Sequence, residues 1–310
     1  MTGGSRPHFC DRLAALVEER RSRVVLGLDP DPAALWPDAL ARFAGSGTGE
    51  SGHLARANTA EAVAEHCRAA IVAAGPACVA VKPQLACFER LGAPGWEALE
   101  RTVAIARDHG LLVLADGKRG DVPVTAAAYA QALVGQTEGP FGPVAGLGVD
   151  AFTANPLLGR DALAPLIDGA AAAGAGVFLL VRTSNPGAAE LQDEGDPPLH
   201  ERLAALTDQV GEAHVGDCGL SLVGAVTGAT QPGLLGRLRE LMPRAVFLLP
   251  GVGAQGGKVE DLAPAFEPHP AAGLVTASRS IVNAYAERGG EPAAAAAAAA
   301  EELRAAAWDL

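Results

Sequence analysis

Between Leu111 and Asp121 the sequence reads LLVLADGKRGD, an apolar run ending in a D-x-K-x-x-D spacing of Asp116, Lys118 and Asp121. In extended chain, residues two apart share a face, so Asp116 and Lys118 are expected to point into one pocket. A second amine, Lys82, closes another apolar run, VAVK. Carboxylates and ammonium groups alternating within about 4 to 6 Å keep one another ionised. Such an array places a fixed cation where negative charge develops, and an amine able to hand over a proton. Of the 24 Lys and Arg residues only three are lysines, Lys82, Lys118 and Lys258. An amine can give up a proton and a guanidinium cannot, so lysine kept at two such positions points to chemistry. Lys258 reads as a surface residue. The bland alternative for the motif is a structural ion pair, with Asp121 as N-cap of a helix starting at Val122-Pro123.

A second candidate lies at Leu249 to Gly257, LPGVGAQGG, where Gly251, Gly253 and Gly256 match G-x-G-x-x-G. A dinucleotide site requires an acidic residue about 20 positions on, after the next strand. Here that stretch, GLVTASRS, ends in Ser278 and Arg279. The glycines therefore read as a phosphate cradle of backbone N–H groups, with Gln255 and Arg279 reaching the anion. Further polar residues close apolar runs at Asp29, Asn155 and Ser184.

These residues need a scaffold that brings separate strand ends together. Eight Val- and Leu-rich runs are expected as strands: Val24 to Leu28, Cys78 to Val81, Leu111 to Ala115, Val149 to Thr153, Val177 to Val181, Leu220 to Val226, Ala245 to Leu249 and Gly273 to Thr276. Between them lie helical stretches such as Ala55 to Ala74, Pro94 to His109, Val122 to Gln136, Leu199 to His214 and Pro232 to Leu241. Alternating strands and helices mean a parallel sheet, and eight units predict an α/β fold of the (β/α)8 TIM-barrel type, a single domain over residues 1–310. In a barrel the polar strand ends converge on one mouth, the face that carries catalysis. An N-terminal helix is expected over about residues 8–21, and an Ala-rich C-terminal helix over about 292–308. Gly45 to Gly52 reads as a surface loop inside the first unit. Gly187 to Pro198, after strand five, reads as an active-site loop.

The chain has a formal charge of −12 and is 49% hydrophobic. This balance argues against nucleic acid or an anionic membrane as partner, because both rely on a basic surface. The five cysteines, Cys10, Cys67, Cys78, Cys87 and Cys218, form no CxxC pair, so neither a disulfide framework nor a zinc site is expected and the cytoplasm is the natural compartment. The charged amino terminus lacks the apolar stretch of a signal peptide, and the longest apolar run, Ala170 to Val181, falls short of a membrane span.

Asp29 in LGLDP, Lys82 in VKPQ, Asp116, Lys118 and Asp121 in DGKRGD, Ser184 in TSNPGA, Gln255 in PGVGAQGG and Arg279 in SRSIV form an ordered set. Together they resemble the orotidine 5'-phosphate decarboxylase family, in its longer bacterial, mycobacterial-type branch, from about residue 22 to 285. The resemblance implies conversion of orotidine 5'-phosphate (OMP) to uridine 5'-phosphate (UMP) in pyrimidine biosynthesis, with no metal and no cofactor. It implies a homodimer in which Asp29 holds the ribose together with Asp121 and Thr125 of the other subunit. Lys82 bridges ribose and Asp116, Ser184 contacts the pyrimidine, Gln255 and Arg279 hold the phosphate, Pro250 lines the substrate, and Lys118 delivers a proton to C6. Loss of CO2 from C6 leaves a carbanion in the ring plane that the π system does not delocalise, so a preorganised cation beside that carbon is required. The sequence departs from shorter members by insertions at 45–52 and 136–148 and by its Ala-rich tail.

A sugar-phosphate decarboxylase or aldolase of the same suprafamily shares D-x-K-x-x-D but holds Mg2+ with carboxylates, and wants an acidic residue beside strand two, where Lys82 stands. A non-catalytic phosphosugar-binding barrel would be expected to lose Lys118 or Asp116 first, and both are present.

Overall fold

The computed structural model describes residues 6–41 and 52–310. Eight parallel strands, β1 Val24–Leu28, β2 Ala80–Pro83, β3 Leu112–Arg119, β4 Ala151–Ala154, β5 Gly176–Arg182, β6 Ser221–Thr227, β7 Ala245–Pro250 and β8 Gly273–Ala277, close into a barrel in sequence order, β8 pairing with β1. The expected TIM-barrel class is therefore the observed one. Strands such as β1 and β6 are buried along their whole length. That follows from a sheet whose inner face packs on itself and whose outer face is covered by helices.

The helices alternate with the strands. After an N-terminal α1, Phe9–Arg20, come α2 Gly52–Ala74, α3 Ala93–Asp108, α4 Pro123–Leu133, α5 Arg160–Ala172, α6 Leu199–Gly211 and α7 Leu235–Leu241. The unit after β7 has a 3-10 helix, Val259–Phe266, in place of an α-helix, and α8, Pro292–Trp308, ends the chain. Ala296 and Ala300 of α8 are buried in the core shared with α2, whose close approach their small side chains allow, while buried Ala295 and Ala299 pack on Ala284 and Tyr285.

Helix α1 closes one end of the barrel. Phe9 meets Phe178 edge to face at 6.0 Å, Cys10 Sγ donates to the Ser221 carbonyl where β6 begins, and Arg12 reaches buried Asp150 just before β4. The plugged end is the one where the strands start, so the opposite mouth, where they finish, is left for a site.

Strand boundaries differ from the sequence expectation mainly at that mouth. β2 extends to Pro83 and β3 to Arg119, so Lys82, Asp116 and Lys118 lie within strands and not just past them. Apolar periodicity stops where side chains become polar, whereas the backbone ladder does not. The expected loop at 45–52 falls outside the described residues except for Gly52, which opens α2. The 136–148 insertion contains a short antiparallel hairpin, Gln136–Thr137 with Val144–Ala145.

Candidate active site

At the open mouth lies a cavity of about 510 Å3, of a size that accepts a nucleotide-scale ligand. Asp29, Lys82, Asp116, Lys118, Ser184, Pro250, Gln255 and Arg279 all line it. Six different strand ends and their loops contribute these side chains, as in a barrel whose chemistry is assembled from separate βα units. Asp121 and Thr125 are not on the lining. They lie partly exposed at and just inside the start of α4.

The charged array occupies one side. Lys82 Nζ lies 2.5 Å from Asp116 Oδ2, and Lys118 Nζ lies 2.8 Å from Asp116 Oδ1. Lys82 and Asp116 are buried, whereas the Lys118 side chain is 44% exposed toward the open side. Burial alone would raise the Asp116 carboxyl, but the two flanking ammonium groups outweigh it and hold the group well below the ordinary carboxylate range. Burial likewise pulls Lys82 down, and the neighbouring carboxylates of Asp116 and Asp29 more than reverse this, leaving it above the usual lysine value. Asp116 is thus a permanent anion between two cations. The inner cation is buried against it, and the outer one, bonded to Oδ1, is exposed on the cavity side.

Asp116 and Lys118 do share a pocket, though not through simple extended chain. Lys118 has φ 47, in the left-handed region, and β3 shifts register against β4 between Ala115 and Arg119. The Lys118 N–H donates to Thr153 Oγ1 at 2.9 Å, and that hydroxyl donates to Asp116 Oδ1 at 2.9 Å. Thr153 lines the cavity, as do Gln84, Thr183, Asn185 and Thr276, none of which the sequence singled out for the site, and Ser278, which it marked only as the end of its strand. The interior direction of β4 and β8 was the available signal, since Thr153 and Thr276 follow inward-facing Ala151 and Leu274 by two positions. Val226 and Leu248 give the floor an apolar section.

Two local expectations are corrected. Asp121 is not the N-cap of α4: Val122 occupies that position, Pro123 is the first helical residue, and Asp121 Oδ1 accepts the Val122 N–H at 2.7 Å. Nor do the loop glycines form an open cradle of amides. The Gly253, Gly256 and Gly257 N–H groups donate to Gly257, Gly253 and Gly251 carbonyls at 2.9, 2.8 and 3.0 Å, closing the loop on itself. Gly251, with φ 104, is needed for that turn, and Gln255 and Arg279 project from its neighbourhood into the cavity.

The segment after β5 is folded more tightly than a plain loop. It forms a 3-10 turn, Pro186–Ala188, and a one-turn helix, Ala189–Gln192. Buried Arg182, at the end of β5, grips both Asp193 oxygens at 2.8 and 2.9 Å, while Gln192 Oε1 accepts the Thr183 N–H at 2.8 Å. These bonds fix the segment that carries Ser184 to the cavity edge. At the neighbouring edge the approach is equally tight, since a Cβ on Gly27 of β1 would meet Ser278 Cβ at 2.7 Å.

Fold and site together define a TIM-barrel enzyme with an alternating lysine and aspartate centre at its C-terminal mouth. The chain belongs to the orotidine 5'-phosphate decarboxylase / HUMPS family, whose model matches residues 22–298. It is 41% identical over 278 residues to an orotidine 5'-phosphate decarboxylase of Deinococcus radiodurans, with 89% of each chain covered. A second such protein, from Haloarcula marismortui, is 41% identical over 285 residues, covering 89% of this chain and 87% of that one. Among solved structures, a putative orotidine 5'-phosphate decarboxylase from Streptomyces avermitilis superposes with TM-score 0.74 at 33% identity, over 99% of this chain and 98% of that one. UMP synthase of Leishmania donovani matches with TM-score 0.71 at 30% identity, over 97% of this chain and 57% of that longer one.

Proposed function

We propose that this chain is a homodimeric, cofactor-free decarboxylase of the cytoplasm that converts OMP to UMP in pyrimidine biosynthesis, on a single barrel domain. The observation that carries the reading is the Lys82–Asp116–Lys118 array, with a buried anion locked between two cations at the cavity wall. The C6 to carboxylate bond breaks with its electron pair left on C6, CO2 departs, and the Lys118 ammonium transfers a proton to that carbon. Its charge is in place before the bond breaks, so little reorganisation is needed as the carbanion forms.

The other lining residues supply binding energy remote from the reacting carbon. Arg279 and Gln255 take the phosphate, Asp29 and Lys82 the ribose, and Ser184 the pyrimidine, with Pro250 against its face. Asp121 and Thr125 lie outside the cavity of their own chain, which suits a role in the site of a second subunit. Beside them Val122 and Val124 are 55% and 85% exposed, and Leu157 and Leu158, joined to this region by the Asn155 N–H to Arg119 carbonyl bond, are also exposed. An apolar surface of this kind supports a partner face. Among the described residues no helix is long and apolar enough to cross a membrane.

The other reading is a sugar-phosphate decarboxylase or aldolase of the same suprafamily, which would hold Mg2+ with carboxylates. Lys82 argues for the decarboxylase, because its ammonium already occupies the place beside Asp116 where a cation would otherwise be held. The test follows the ultraviolet absorbance of OMP with EDTA present, wild type beside Lys118→Ala. Conversion to UMP by the wild type alone is the expected result. Turnover lost to EDTA, or retained by Lys118→Ala, would overturn the reading.

A further inference from the structure

Helper groups around a reacting lysine matter when they set where its amine sits. Thr153 is such a group: it is 1% exposed, and β4 delivers its hydroxyl between the backbone of Lys118 and the carboxylate of Asp116. A hydroxyl has a single hydrogen, so donating it to the carboxylate leaves its lone pairs for the Lys118 N–H. Both bonds are 2.9 Å, and the polarity of the relay is fixed because the ionised Asp116 at one end only accepts and the backbone N–H at the other only donates.

The relay coincides with the point where the backbone departs from regular strand. Lys118 has φ 47, a region disfavoured for a residue with a side chain, and the β3 to β4 register slips there. A strand that leaves its ladder forfeits the carbonyl that would have accepted its N–H, and Thr153 takes over that role. Conformations of this kind persist at functional sites when the surroundings over-determine them. The other end of the relay meets Asp116 Oδ1, the same oxygen that receives Lys118 Nζ at 2.8 Å. One side chain therefore constrains the reacting lysine at both its backbone and its amine.

We propose that Thr153 is a positioning residue for proton transfer: its hydroxyl holds the Lys118 backbone in the left-handed conformation and orients Asp116, so that Nζ is presented to the reacting carbon. The inference rests on the reading of Lys118 as proton donor. Valine keeps the shape of threonine and removes the relay, and serine keeps the relay and loses a methyl group.

The experiment measures kcat and KM for OMP, UMP affinity by titration, and thermal melting for Thr153→Val, Thr153→Ser and Lys118→Ala. Thr153→Val should lower kcat by about 30- to 100-fold, the scale of a misplacement of about 1 Å, with KM and UMP affinity held within about threefold. Thr153→Ser should return kcat to within about threefold of wild type. Wild-type kcat in Thr153→Val beside an inactive Lys118→Ala would overturn the inference and leave the proton-donor reading standing. Equal losses in the serine and valine variants would also overturn it, because the methyl group would then be responsible. So would loss of UMP binding in parallel with kcat in Thr153→Val, which marks general damage to the pocket. A fully active Lys118→Ala would remove the proton-donor reading itself, a distinct result.

Discussion

Lys82 Nζ and Asp116 Oδ2 meet at 2.5 Å with both side chains less than a tenth exposed, so each is the neutralising partner the other requires. Buried ions of one sign are costly, and removing one member of such a pair leaves the other uncompensated. The pair therefore ties folding to the chemistry of the site.

Asp116→Asn is expected to destabilise the protein by about 3 kcal/mol or more, the scale of breaking a buried ion pair, and to abolish turnover. The folded carboxyl lies well below its ordinary value, so its contribution is present above about pH 4 and is lost as pH falls below that. Urea unfolding at pH 7 and pH 3 checks this: the gap between wild type and variant should narrow at the lower pH. An equal gap at both would reject the assignment.

His66 gives a second pH dependence of a different kind. Its Nδ1 accepts the Trp36 backbone N–H at 3.1 Å, its ring packs edge to face on the Trp36 indole, and burial lowers its pKa to about 4. The unfolded chain binds the proton near pH 6.5 and the folded chain does not, so stability falls between about pH 6.5 and 4 and levels off below. That shift corresponds to a loss of about 3 kcal/mol. His66→Asn, which keeps an acceptor for Trp36 and does not titrate, should flatten the melting temperature across that window. A profile as steep as wild type would assign the acid sensitivity elsewhere.

Subunit complementation tests the placing of Asp121. Asp121→Ala and Lys118→Ala should each be impaired alone. Mixed after reversible dissociation, they should regain roughly a quarter of wild-type activity, because about half of randomly assorted dimers are mixed and each carries one intact site. No recovery, in a mixture shown to exchange subunits, would count against a shared site.

The sequence made the barrel legible because eight apolar runs of strand length alternate with helical stretches, and that pattern belongs to a covered parallel sheet. Most of the cavity wall was legible for a related reason. Lys82, Asp116, Ser184 and Arg279 interrupt or terminate apolar runs, and polarity there has no packing explanation. What escaped depends on three-dimensional closure. Thr153 and Thr276 look like ordinary β-branched strand residues until the barrel turns them inward. The loop glycines advertise free amides, yet the turn consumes three of them. Nothing in DGKRGD announces that Lys118 takes a positive φ, since that conformation is enforced by a neighbour 35 positions away. The Arg182 and Asp193 grip was likewise hidden inside a stretch that reads as polar loop.

The unequal exposure of the three lysines gives the molecule an uncommon reactivity profile. Lys82 is sealed in its ion pair, Lys258 stands on the surface and Lys118 opens onto the cavity. Amine-directed reagents thus meet two exposed side-chain targets, one off the cavity lining and one on it. Lys258 serves as an internal standard against which the modification of Lys118 reports occupancy of the cavity, residue by residue, in a mass spectrum.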